Sequence, residues 1–500
     1  MRRGLWTATA VLAAGVLVRV VAFGGLDGIL PAEGLYVDER VYAEGFGALD
    51  SLPFQRPPAM YALAGLMGAG AAPTRARWVM SALSLLPALA LALAMPRRGY
   101  WSRLLPLAVA LQPDLVVFGL QLLPAVPAAV AVTGALLALA RGRRVTSGAL
   151  MGAACLFRAE LLLALPLVAL LPPLKPGGRM RMALPWVAAV VPVMALNLAA
   201  GAGPVISVNG PENLWLGSEE RTLRTPPGVE FEQLVAVEGR QQQTFLERAA
   251  DGIAARPLDW LLLGLRKSAA SLSVPGPGRN LELGYLVRRL RLAPLLAPML
   301  LLVSLGLWRV LRGGPPAGEE LRMQRALAGA AVLAAFLFLP AARYRLAAMP
   351  ALWMAAAASA PRRRELAGWG CAAVAVLAVS LLVSSPVRKG LTQIQQAEHR
   401  IDRGRPRMAL ESLAGARERG YRGADLHNLA GIALSMSGDG EGGLSSFEEG
   451  LRLAPRSPTL WKNTAVCLAG MGRREEASAA AARAVRLNRA LREELAPLLP

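Results

Sequence analysis

Apolar residues in this chain gather into long blocks. They do not alternate at the period of two expected of a strand, nor keep to the narrow stripe of a half-buried helix. Blocks near twenty residues with few charges have the length needed to cross about 30 Å of hydrocarbon as helices. Hydrocarbon offers no hydrogen bonds to an open backbone, so each block is predicted helical. Eleven spans follow, at residues 5–24, 77–95, 102–119, 123–140, 146–158, 161–174, 183–200, 292–311, 325–341, 345–360 and 366–385. The fifth and sixth are short and read as a hairpin around Arg158-Ala159-Glu160. Residues 1–386 are thus expected to be an all-α polytopic transmembrane bundle of about 11 spans. Two long segments, residues 25–76 and 201–290, separate spans on one side. Within them, 59–72 and 245–273 are amphipathic and are expected to lie in the plane of the leaflet.

Past the last span the composition turns polar and rich in Ala, Gly and Leu, and a 34-residue period appears. One unit holds Gly431, Leu434, Gly443, Phe447, Gly450 and Pro455. The next holds Trp461, Ala465, Leu468, Ala477, Ala481 and Ala484. A weaker preceding unit holds Ala397, Ala409, Leu413 and Ala416. These spacings resemble tetratricopeptide repeats, which implies an α-solenoid over 390–500 with a concave face able to take a peptide or protein acceptor. Glycine is a poor helix former, so Gly442, Gly443 and Gly450 predict a loose middle unit.

Charge changes the picture by fixing a direction. The 500 residues carry 55 Lys and Arg against 34 Asp and Glu, a net charge of +21. The cations cluster between apolar blocks, at Arg97-Arg98 and within 141–144, 175–181, 309–325 and 362–364. With the N-terminus inside, every one of those clusters falls on the cytoplasmic side, as the positive-inside rule requires. A nucleic-acid partner would want a basic groove with interleaved aromatics, which this distribution does not make. Met1-Arg2-Arg3 and the apolar run to Phe23 could begin a signal peptide. Arg19 interrupts the run and no small-x-small site precedes Asp27, so a retained first helix is the expectation. The chain is then read as an integral protein of a bacterial inner membrane with its repeats on the extracytoplasmic side. Cys155, Cys371 and Cys467 are far apart and lack metal-ligand spacing, and the first two are read as packing residues.

The only histidines, His399 and His427, lie in the repeat region. No phosphate-binding loop, dinucleotide fingerprint, HExxH or CxxC occurs. Carboxylates, arginines and lysines are left to supply any chemistry. Asp38-Glu39 stands just beyond the first span, within Tyr36-Val37-Asp38-Glu39-Arg40. A carboxylate partly desolvated at a membrane surface moves toward the range useful to a general base. An isolated Asp-Glu can equally be a solvated loop pair.

The order of segments decides between these. Gln55-Arg56-Pro57-Pro58-Ala59-Met60-Tyr61 follows Asp38-Glu39, then a Gly-rich stretch from Gly148 to Arg158-Ala159-Glu160. After it come Asn213-Leu214-Trp215-Leu216-Gly217, then Arg256-Pro257 with Lys267, and then Ala342-Arg343-Tyr344-Arg345-Leu346 with Pro350. The series resembles the GT-C superfamily of membrane glycosyltransferases, above all the protein O-mannosyltransferases and lipid A aminoarabinose transferases, over about residues 5–360. The resemblance implies transfer of a sugar from a polyprenyl-phosphate donor to an acceptor hydroxyl on the extracytoplasmic face. It implies Asp38 as base, Glu39 orienting it or the acceptor, and Arg343, Arg345 and Lys267 on the donor phosphate. Arg56, Tyr61, Asp114, Arg158 and Glu160 join as further candidates. No resident cofactor is implied, and metal dependence is left open, with no metal ligands assigned. Where many relatives carry a second acid this chain reads Gln121-Leu122-Leu123-Pro124, the nearest acid being Asp114, and Arg158-Ala159-Glu160 lacks the usual central proline. For Arg343 and Arg345 the plain alternative is interfacial snorkelling; for Arg158 and Glu160 it is a structural ion pair. A non-enzymatic membrane-anchored repeat scaffold for envelope assembly, or a catalytically degenerate member, stays open beside the enzyme. Transporters place ionisable groups mid-span, and here they sit at span ends.

Overall fold

The computed structural model describes residues 2–24, 37–43, 45–50, 52–94, 101–170, 176–220, 228–230, 244–274, 286–287, 290–312, 318–339, 341–383 and 390–499. Among them every regular element is a helix. Five stretches are long and apolar enough to cross a membrane: Trp6–Gly24, Pro73–Ala94, Met180–Ala199, Ala293–Arg312 and Arg363–Leu382. Shorter apolar helices at Ala125–Ala140, Arg144–Phe157 and Ala159–Leu170 pack among them.

Several expected spans are not single straight helices. The stretch expected at 77–95 starts earlier and comes as α4 (Pro73–Leu83) and α5 (Leu86–Ala94). That at 102–119 comes as α6 (Trp101–Ala110) and α7 (Pro113–Gly119). Proline at 113 has no N–H to donate and forces Gln112 out of the helical region, to ψ 123°. Each break frees a carbonyl, and α1 (Arg2–Gly24) answers both with one side chain. Arg19 donates from Nη1 to Ala110 O at 2.9 Å and from Nε to Ser84 Oγ at 2.8 Å, with Nη2 3.4 Å from Ser84 O. The arginine that interrupts the first apolar block therefore lies inside the bundle, not against lipid.

α8 (Ala125–Ala140) and α9 (Arg144–Phe157) turn back on each other through Gly142, at φ +71°. Beyond α10 (Ala164–Leu170), α11 (Pro176–Ala199) packs closely on α9 because the glycines of α9 leave room. A Cβ at Gly148 would stand 1.9 Å from the Met182 carbonyl oxygen, and one at Gly152 2.8 Å from that of Trp186. Arg144 at the start of α9 pairs with Glu319 (2.8 Å) at the start of α16 (Glu319–Leu337). At the same end Arg309, near the close of α15 (Leu296–Arg312), caps the last carbonyls of α18 (Met349–Ala357). It also contacts Glu365 of α19 (Arg363–Val383) at 3.2 Å. α16 has 19 residues, and at 1.5 Å per residue it reaches about 28 Å to the opposite end of the bundle. There the chain gathers α2 (Val37–Ala43), α3 (Ala59–Met67), α12 (Gly210–Ser218), α13 (Phe245–Ala255), α14 (Pro257–Ser271) and α17 (Ala342–Leu346). The amphipathic segment expected over 245–273 is two helices. α13 is opened by a capping box between Thr244 and Glu247, and α14 is opened by Pro257.

Residues 390–499 form consecutive helix pairs: α20 (Leu391–Asp402) with α21 (Pro406–Glu418), α22 (Ala424–Met436) with α23 (Gly440–Leu453), and α24 (Pro458–Gly470) with α25 (Arg474–Leu487). The second helices begin at 406, 440 and 474, so the period read from sequence is a structural one. The small residues singled out by that period are buried where partner helices meet, Ala397, Ala409, Ala465 and Ala481 among them. The middle pair is not loose. α23 runs unbroken with Asp439 capping Gly442 N–H at 2.9 Å, and its glycines answer packing. A Cβ at Gly431 would lie 2.6 Å from the Phe447 ring, and one at Gly443 2.3 Å from Ser435 Oγ.

Candidate functional site

One loop clamp builds the wall of a cavity. Asn197, on α11, accepts from Phe54 N–H at 2.7 Å and donates to Val205 O at 2.8 Å, while Val208 N–H donates to Phe54 O at 2.9 Å. The clamp sets Arg56 and Pro57 against Ser207, Asn209 and Asn213 across a cavity of about 560 Å³. The other sides come from Tyr42 on α2, Arg158 and Glu160 after α9, and Arg343 and Tyr344 on α17. An apolar wall is made by Leu162, Leu163, Pro166, Met194 and Phe338. Segments far apart in the chain thus converge, and Arg56, Arg158, Glu160 and Arg343 are brought together.

The cations stand on aromatic faces. Arg158 lies 4.3 Å and Arg343 5.4 Å from the Tyr344 ring centre, and Arg56 lies 5.6 Å from that of Tyr42. Arg158 Nε donates to Glu160 Oε1 at 2.6 Å, so the ion pair expected at the hairpin tip forms and also faces the cavity. Tyr61 backs Tyr42, their rings 5.3 Å apart. Among the described lining residues three guanidiniums face one carboxylate, and that balance suits an anionic ligand.

Other candidates are engaged elsewhere. Glu39, 1% exposed, pairs with the equally buried Arg77 at 2.5 Å and accepts from Leu122 N–H at 2.8 Å. It thereby ties α2 to α4 and to the turn before α8. Asp114, fully buried, meets Arg345 Nη2 at 2.7 Å, and Arg345 also donates to the carbonyls of Ser271 and Ser273 at the end of α14. Lys267 donates to Gly217 O at 2.6 Å and Phe338 O at 3.0 Å. Asp38 belongs to α2 by its backbone, but its side chain lies outside the described residues. No three His, Cys, Asp or Glu side chains among the described residues converge as a metal ion would need.

The Asn213-to-Gly217 segment divides its labour. Asn213 faces the cavity, Trp215 packs on Phe245 at 5.6 Å, and Gly217 lets α12 approach α16, since a Cβ there would meet Leu337 O at 2.5 Å. Tyr42, Asn197, Ser207 and Asn209 were not foreseen. Tyr42 could have been, four residues after Asp38 on one helix face; Ser207 and Asn209 sit in irregular backbone with no period to mark them, and Asn197 is a lone polar residue near the end of an apolar helix.

Burial pushes the Lys267 ammonium down to about 7. A base whose folded-state pKa lies below its unfolded value of 10.5 leaves the unfolded chain holding the extra proton between the two, so stability rises with pH across that window and is flat below it. Thermal unfolding in detergent should show this rise from about pH 7 to pH 10, and Lys267→Met should flatten it. An unchanged slope in that variant would put the titration elsewhere.

No family model matches the chain, and no curated protein matches it either.

Proposed function

We propose that the protein is a membrane glycosyltransferase of the GT-C type, carrying a sugar from a polyprenyl-phosphate donor to an acceptor hydroxyl on the extracytoplasmic face of a bacterial inner membrane. In this reading the chain crosses about 11 times, counting the short and broken helices, with its N-terminus in the cytoplasm and tetratricopeptide-like repeats outside. The observation that carries it is the cavity. Residues from separated segments, ordered along the chain as in that superfamily, line one space that is cationic on one side and apolar on another.

The apolar wall suits an isoprenoid tail, and Arg343, with Arg158 and Arg56, suits the phosphate at its head. Ser207, Asn209 and Asn213 offer hydroxyl and amide groups to the sugar. Asp38, one turn before Tyr42 in α2, takes the proton of the acceptor hydroxyl as its oxygen bonds to the anomeric carbon. The bond from that carbon to the phosphate oxygen breaks, the configuration inverts, and polyprenyl phosphate leaves with the added negative charge. Fixed guanidiniums in a water-poor site stabilise that charge. Arg345, Glu39 and Lys267 act here as the framework that holds α2, α14 and α17 in place.

Arg343→Ala should lower transfer by about 10²–10³-fold in membranes supplied with polyprenyl-phosphate sugars. Arg343→Lys should keep part of the rate, because an ammonium holds the charge without the bidentate geometry. Mass spectrometry of lipid-linked sugars and glycoproteins, with and without the protein, identifies the sugar. Transfer at the wild-type rate by Arg343→Ala would remove the phosphate role. Residues 38 and 345 found on opposite faces of the membrane would leave only the anchored repeat scaffold.

A further inference from the structure

Of the segment between α12 and α13, the described residues 228–230 touch the helix pairs. Val229 N–H donates to Asp425 Oδ1 at 2.8 Å, and Glu230 Oε1 accepts from Ala424 N–H at 2.5 Å. Val229 is 3% exposed and belongs to the apolar cluster of Ala424, Leu444 and Phe447. Gly228 is required twice over. Its φ is +148°, and a Cβ there would stand 1.9 Å from the Asp425 carboxylate.

These contacts read three successive residues by three different means. The glycine is read by close approach, the valine by an apolar slot together with its N–H, and the acid by an N–H at the start of the 13-residue α22. Groups matched one by one to a short peptide make a recognition surface, since any side chain in place of the glycine would collide with the Asp425 carboxylate and a residue without an acid in place of Glu230 would take the acceptor from the Ala424 N–H. A general adhesive patch would need only the valine.

We infer that this face of the repeat region is a peptide-docking site selective for a Gly–apolar–acid segment, and that the chain's own outer loop occupies it in cis. A partner protein carrying the same pattern has to displace residues 228–230. The tethered segment competes at an effective concentration on the order of millimolar, so the site is closed to weak ligands. The inference stands whether or not the cavity transfers a sugar.

The test uses the full chain in detergent and a fluorescent peptide of sequence TPPGVEFEQL, that of residues 225–234. Val229→Asp puts a charge into the apolar slot and frees the face. It should bind the peptide about tenfold or more tightly than wild type. On that background, Asp425→Ala, or alanine for glycine in the peptide, should each weaken binding about tenfold or more. Hydrogen exchange supplies a second readout without the charged variant: the Val229 amide should exchange faster in Asp425→Ala than in wild type. No binding by Val229→Asp, binding indifferent to Asp425 and to the glycine, or an unaltered Val229 exchange rate would each overturn the proposal.

Discussion

Asp38→Ala is expected to lower sugar transfer by about 10²–10⁴-fold, the share of a rate that a positioned general base supplies, while the protein still reaches the membrane and folds. The acceptor oxygen is a poor nucleophile while it keeps its proton, and among the described lining residues the single carboxylate, Glu160, is already paired with Arg158. Position 38 lies one turn from Tyr42, so α2 brings its backbone to the cavity edge. Transfer assayed in membranes, normalised to the amount of protein, separates loss of chemistry from loss of fold. Normal transfer by the variant would take Asp38 out of the mechanism.

The adjacent acid should behave in the opposite way. Glu39→Ala is expected to cost about 3–5 kcal/mol of stability, the usual result of removing one partner of a buried ion pair. Both its oxygens are used: Oε1 takes the Leu122 N–H at 2.8 Å and Arg77 Nε at 3.2 Å, and Oε2 takes Arg77 Nη2 at 2.5 Å. Removing it takes two hydrogen bonds from the Arg77 guanidinium and the acceptor from the Leu122 N–H inside the bundle. The double variant Glu39→Leu, Arg77→Leu should recover much of the loss, because apolar residues of similar volume often replace a buried pair at little cost. Thermal unfolding of the purified variants decides this. A single variant as stable as wild type would show that Glu39 does not hold α2 in place.

Adjacency in the sequence hid this division. Asp38-Glu39 reads as a unit, yet Glu39 points to α4 and is consumed there. Arg343 and Arg345 repeat the lesson two residues apart, one facing the cavity and the other locked on Asp114. Which face of a short helix looks inward is set by its neighbours, and five-residue α17 carries no period long enough to reveal it. Block length made the helices legible, and the 34-residue period made the repeat pairs legible down to individual alanines. The breaks at Ser84 and Gln112 were not, although Pro113 marks the second; apolar flanks masked both. The clamp through Asn197 was equally invisible, since a lone asparagine ending an apolar helix has no pattern to distinguish it.

Arg19 imposes an order of events on biogenesis. Its acceptors, on Ser84 and Ala110, are synthesised 65 and 91 residues after it. Until they emerge, the Arg19 guanidinium has from its own helix the Gly15 carbonyl, 3.1 Å from Nη1, and its place near the end of that helix keeps the burden below the roughly 2.5–3.5 kcal/mol of a helix centre. The nascent protein therefore holds its leading segment on credit, and that segment becomes a stable lipid guest only when the two that follow have closed around it.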